Sequence, residues 1–131
     1  MSKDKLVATK VESVTQVLRA LQQSYGFDES QIKTDEASLK HWGRDWTVHF
    51  EPAPAAIVFP KSTEQVQAVI KLANEHQLVL TPSGGRTGLS AGAVASNGEI
   101  VISMDKMNKI GRFFAADRMV AVSYTDLTLP T

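Results

Sequence analysis

The sequence contains no cysteine among its 131 residues. A disulfide framework and a thiolate metal site are therefore excluded, and the composition suits a reducing compartment. Net charge is also missing, because 14 basic residues balance 14 acidic ones. With no long-range field to draw in polyanions, neither nucleic acid nor an anionic membrane is expected as a partner. Long apolar runs are absent too. "AAIVF" (55–59) and "LVL" (78–80) fall far short of the roughly 20 residues that cross a bilayer. The opening "MSKDKLVATKVESV" lacks the apolar centre of a signal peptide. The expected location is cytoplasmic, with any membrane attachment made through another region or partner. The three histidines, His41, His49 and His76, have no metal-ligand spacing and are read as surface or packing residues, so no metal site is expected.

What is present is an ordinary globular composition, 43% hydrophobic and 21% charged. A chain of this length makes one domain and buries roughly two thirds of its unfolded surface. Val14, Val17, Leu18, Leu21 and Tyr25 recur at helical spacing. Ser13 and Gln16 form a capping-box pattern before them, and Gly26 can end the helix. Residues 27–54 mix charges, prolines, Trp42 and Trp46, and read mostly as structured loop with the tryptophans in packing roles. Residues 55–59 form an apolar strand stopped by Pro60. A helix follows, capped by Ser62 and Gln65, with Val66, Val69, Ile70 and Ala73 on one face. Residues 78–82 are a second apolar strand. Strand, helix and strand in this span predict a right-handed βαβ unit with parallel strands. Further strands are expected at 99–104 and 119–124, with "MNKIGR" a turn between them. The fold class is α+β: an α/β-like βαβ unit plus further strands.

"LTPSGGRTGLSAGAVASNGE" (80–99) holds five of the eight glycines, and between Gln77 and Gly98 its one formal charge is Arg86. The segment leaves the carboxyl end of the second strand, where ligands sit in open α/β sheets. Glycine allows positive φ and close approach to the peptide plane. Successive backbone amides can then form an anion-binding nest. Arg86, Thr87 and Ser90 add donors for a diphosphate. On composition alone, a flexible surface loop explains the segment as well. "GGRTG" lacks the lysine and spacing of a P-loop, and no G-x-G-x-x-G is present.

The run "FPKSTEQVQAVIKLANEHQLVLTPSGGRTGLSAGAV" through "EIVISMDKMNKI" resembles the flavin-binding domain of FAD-linked oxidases, the superfamily of vanillyl-alcohol oxidase and para-cresol methylhydroxylase. The shared features are the proline after the first strand, the "STEQV" helix start, the "P-x-G-G-x-T-G-L" loop and the "MNKI" turn. Within that superfamily the chain looks like the D-2-hydroxy-acid dehydrogenases acting on D-lactate, glycolate or D-2-hydroxyglutarate, and "GRDWT" points to the same branch. The resemblance spans about residues 40–122. It implies that the chain forms the first lobe of such an FAD-binding domain. It also implies that the amides of Ser83, Gly84, Gly85, Arg86, Thr87 and Gly88 cradle the FAD diphosphate, with Ser90 and Gly92 as weaker members. Ala91 stands where the family often has glycine, a difference that matters only if the position needs positive φ. Covalently flavinylated relatives often carry histidine where this chain has Arg86, so the resemblance implies non-covalent FAD. Arg44 and Asp45 read as a local pair, and Asp105, Lys106 and Asn108 as residues that shape a turn.

Three segments are expected: an N-terminal helix and connection (1–54), a partial FAD-binding domain (55–122) and a divergent or foreign tail (123–131). The resemblance implies a longer parent enzyme. Its reaction would pass hydride from the α-carbon of a D-2-hydroxy acid to the flavin, and electrons then to a separate acceptor. The substrate-binding portion and the catalytic base are not found in this chain, so no catalytic residue is assigned. By itself the chain is expected to bind FAD weakly or not at all. Two other readings stay open: a non-redox nucleotide- or phosphate-binding module, and a fragment without independent function.

Overall fold

The structure, a computed structural model, describes residues 2–122. The first helix, α1, runs Lys3–Ser24 and is capped by Ser2, whose side chain accepts from the Lys5 amide at 3.4 Å. It begins ten residues before the capping-box pattern at Ser13 and Gln16, which lies inside the helix. Val7 and Val11 carry the Val14 stripe back by turns of the same period, so the helical pattern has no break at Ser13. At the other end Gly26 takes φ +70°, and the Tyr25 and Phe27 amides both donate to the Leu21 carbonyl. Only a residue tolerant of the left-handed region closes a helix this way.

Residues 27–54 are more regular than a loop. A 3-10 turn covers Glu29–Gln31, strand β1 is Ile32–Lys33 and helix α2 is Glu36–Trp42. Aspartates start both helical pieces. Asp28 accepts from the Ser30 amide at 2.8 Å, and Asp35 accepts from the Ser38 amide at 3.0 Å. Both pieces are too short for a hydrophobic period to announce them, which is why the stretch reads as loop in the sequence.

Strand β2 is Ala56–Val58, helix α3 is Thr63–Glu75, strand β3 is Leu80–Ser83 and strand β4 is Ile100–Ser103. The sheet order is β1-β2-β4-β3, with β1 antiparallel to β2, and β4 parallel to both β2 and β3. The two strands of the βαβ unit therefore run the same way but are not neighbours; β4 lies between them. Hydrophobicity explains the choice. All four residues of β4 are buried, as a central strand requires, whereas β3 carries exposed Pro82 and stands at the edge, where a missing N–H is tolerated.

One face of the sheet packs Val14, Val17, Leu21, Val69 and Leu72 against Val58, Ile100 and Ile102. The other packs Ile57 and Val101 with Phe59, Ala95, Leu39 and Trp42. Ser62 caps α3 by accepting from the Gln65 amide at 3.2 Å. The reciprocal half differs from a standard box, since Gln65 Oε1 accepts from the Lys61 amide (2.8 Å) and from Gln31 Nε2 (2.8 Å). Buried Gln31 also donates to the Phe59 carbonyl at 2.9 Å, tying β1 to the start of α3.

The strand expected at 119–124 does not join this sheet. Strand β5 (Phe113–Phe114) pairs with strand β6 (Met119–Val120) in a separate antiparallel pair, and residues 108–122 are exposed. Ser123, Tyr124 and the rest of the expected tail lie outside the described residues.

Candidate functional site

The carboxyl ends of β2, β3 and β4 face one end of the sheet, and the glycine segment leaves β3 there. Its root is held by the Met104 amide donating to the Ser83 carbonyl at 2.9 Å. Beyond that point the loop leans on the stretch from Trp42 to Thr47. The Trp46 amide donates to the Gly88 carbonyl (3.1 Å), and the Ala95 amide donates to the Gly43 carbonyl (2.9 Å). The Ala91 amide donates to the Thr47 hydroxyl at 2.9 Å. Gly43 is required at this crossing, since a Cβ there would sit 2.6 Å from the Leu39 carbonyl oxygen and 2.8 Å from the Pro54 ring.

The main-chain amides from Gly84 to Ser90 behave differently. Among the described residues none of them donates to the protein. Amides left free by the protein are open to water or to an anionic acceptor. Beside them lies an open hollow of about 500 Å³, lined in part by His41, Arg44, Asp45, Trp46, Gly85 and Arg86.

Left-handed backbone does occur in the loop, but among its five glycines only Gly98 takes it, at φ +74°. Arg86 has φ +59° and Ala91 has φ +60°, while Gly84, Gly85, Gly88 and Gly92 are not among the residues with positive φ. The expectation that these glycines would supply positive φ is corrected. What Gly88 and Gly92 contribute is space: nothing lies within 4 Å of a Cβ at Gly92, and one at Gly88 would only touch Asp45 Oδ2 at 3.5 Å. Ser83 is buried with its hydroxyl unpartnered, and Thr87 and Ser90 are exposed.

Arg86 is tied down by a carboxylate. Its guanidinium donates to Asp105 Oδ1 at 3.2 Å, and it sits 5.9 Å from the Trp42 ring centroid. Trp42 Nε1 donates to Asp105 Oδ2 at 2.7 Å, and its ring stands edge-on to Phe59 at 5.1 Å. Trp42 thus packs as expected, whereas Trp46 is 69% exposed and lines the hollow. Asp105, expected to shape only its own turn, reaches across to the loop.

Arg44 and Asp45 do not pair; no ion pair joins them. Asp45 instead accepts from the Thr47 amide at 2.7 Å. Burial pushes its carboxyl upward, but hydrogen bonds from Thr47 and the Ala93 amide outweigh that and hold it below the ordinary carboxylate value. Among the described residues no cluster of histidine and carboxylate could hold a metal ion, and no helix is long and apolar enough to cross a membrane.

Comparison with known proteins adds identity to this geometry. A family model described as an FAD binding domain matches residues 54–124. A D-2-hydroxyglutarate dehydrogenase of Stutzerimonas stutzeri is 59% identical over 91 residues, covering 70% of this chain and 20% of that protein. A D-lactate dehydrogenase of Anaerostipes hadrus is 47% identical over 76 residues, covering 58% of this chain and 16% of that protein. The chain thus spans a fifth or less of the length of these relatives. Among solved structures, p-cresol methylhydroxylase aligns with a TM-score of 0.59 at 24% identity, covering 87% of this chain and 21% of that one. An alkyldihydroxyacetonephosphate synthase aligns at 0.64 and 23% identity, over 73% of this chain and 20% of that one. At such identities the likeness is one of fold, and the α+β fold is that of the p-cresol methylhydroxylase type.

Proposed function

This chain belongs to the FAD binding domain family, and from that premise we propose that it holds the diphosphate of FAD for an enzyme that oxidises a D-2-hydroxy acid. The observation that carries the reading is the row of unclaimed amides from Gly84 to Ser90 beside the hollow. Convergent N–H groups stabilise an anion without the desolvation that lysine side chains would suffer. Ser83, Gly84, Gly85, Arg86, Thr87 and Gly88 are the proposed contacts, with Ser90 and Gly92 at the margin. Of the carboxylates near the loop, Asp105 is balanced by Arg86, whereas Asp45 lines the hollow without an ion-pair partner.

Bound FAD supplies the hydride acceptor; the residues of this chain supply only its seat. The hydroxy acid, its electron acceptor and the base that takes the hydroxyl proton belong to parts of the enzyme outside this sequence. The FAD is proposed to be held non-covalently, since a guanidinium at residue 86 forms no stable bond to flavin. The absence of cysteine fits a reducing compartment, and the cytoplasm is the proposed location.

Titration of the chain with FAD and with ADP, followed by flavin fluorescence, tests the reading. Weak but saturable FAD binding that ADP displaces poorly is the expected result, with all flavin released on acid denaturation and none reduced by D-2-hydroxyglutarate. A preference for ADP would make the chain a general nucleotide module. Failure of both ligands to saturate at millimolar concentration would leave the chain without an independent nucleotide site.

A further inference from the structure

The only cation in the glycine loop, Arg86, is also one of its two left-handed residues other than glycine. Arg86 adopts φ +59°, a region that few residues other than glycine enter, and its side chain is anchored. What holds it is Asp105, and Asp105 is itself well fixed. It lies two residues past the central strand β4, its amide donates to Ser103 Oγ at 3.3 Å, and its carboxylate receives the Trp42 indole N–H at 2.7 Å. Trp42 in turn is wedged against Phe59 from the core. The Arg86 side chain is 20% exposed and that of Asp105 38%, so one side of the pair is shielded and the other is open to water.

We infer that Asp105 is a positioning residue for the loop, acting through Arg86. The carboxylate clamps the guanidinium, the clamp keeps residue 86 left-handed, and that geometry leaves the amides of residues 84–90 unclaimed by the protein. Arg86 then serves the site through its backbone, and its charge is satisfied within the protein rather than by the ligand. The inference rests on the proposed diphosphate seat for its purpose, but the clamp itself is measurable without any ligand.

The test compares the wild-type chain with Asp105→Asn, Arg86→Gln, the double variant and Asp105→Glu. Heteronuclear NOE values at residues 84–90 report loop order without ligand, FAD titration reports affinity, and thermal unfolding reports the rest of the fold. If Asp105 acts through Arg86, each single variant loosens the loop and weakens FAD binding about tenfold. The double variant is no worse than either single, the glutamate variant recovers part of the loss, and the melting temperature barely moves. A loop that stays ordered in Asp105→Asn overturns the inference, as do losses that add in the double variant or a melting temperature that falls in parallel. If wild type fails to bind FAD, the flavin reading fails while the NOE comparison still decides the clamp.

Discussion

Arg86 and Ala91 share a left-handed backbone but reach it by different means. Arg86 has a carboxylate clamp, whereas the side chain of Ala91 has nothing to hold it, and only its amide is anchored, on the Thr47 hydroxyl. Alanine in this region carries a Cβ strain that glycine lacks. Ala91→Gly is therefore expected to raise stability by up to about 1 kcal/mol, a rise of about 3–5 °C in thermal unfolding. Asp45 gives a pH-dependent counterpart. Its carboxyl is lowered in the folded chain, so its stabilising effect is complete above the unfolded value of about 3.9 and is lost as pH falls through the folded value. Melting curves between pH 5 and pH 3 should show a steeper loss for wild type than for Asp45→Asn. Equal slopes would mean that the Thr47 and Ala93 hydrogen bonds do not hold the carboxylate. The sequence marked Ala91 as an alanine where the resembled family often has glycine, and the position does take positive φ, whereas an aspartate in a loop gives no sign of its partners.

Helices and strands were easier to read where the pattern ran long. The α3 boundaries follow from Ser62, Gln65 and the Val66–Ala73 stripe, and the structure differs mainly in where the Gln65 side chain turns. Ser62→Ala removes the acceptor for the Gln65 amide and should cost about 1 kcal/mol, read as a lower urea midpoint with an unchanged slope. In the sheet, β4 is the strand both neighbours depend on, and Ile100 is fully buried between them. Ile100→Ala should cost about 2–5 kcal/mol, enough to leave much of a marginally stable chain unfolded at 37 °C by circular dichroism. Short elements were harder. The two-residue β1 and the seven-residue α2 are made by contacts with β2 and Phe59, and a local window contains no trace of those partners.

Across the molecule, order is unevenly distributed. The two core clusters join α1, α3 and the four-stranded sheet, while residues 108–122 place Ile110, Phe113 and Met119 in solvent. Segments with few buried contacts open at low free energy. Brief trypsin digestion should therefore cut at Lys109, Arg112 or Arg118 well before Arg19 or Lys71, and mass spectrometry of the first products would detect it. Early cleavage inside α1 or α3 would contradict this distribution of stability.

Local chemistry written along the chain was enough to establish the helix stripes, the apolar strands, the caps at Ser62 and Gly26, and the glycine segment after β3, because each depends on neighbours a few residues away. It also carried the kinship with FAD-binding oxidoreductases, since the loop and its flanks lie in one continuous run. Three-dimensional packing alone decided that β4 would divide the βαβ pair, that Asp105 and Trp42 would meet Arg86, and that left-handed turns would fall on Arg86 and Ala91 rather than on Gly84, Gly85, Gly88 or Gly92. The physical reason is the same in each case: these outcomes depend on groups far apart in sequence, and their energies arise only once the sheet has brought them into contact.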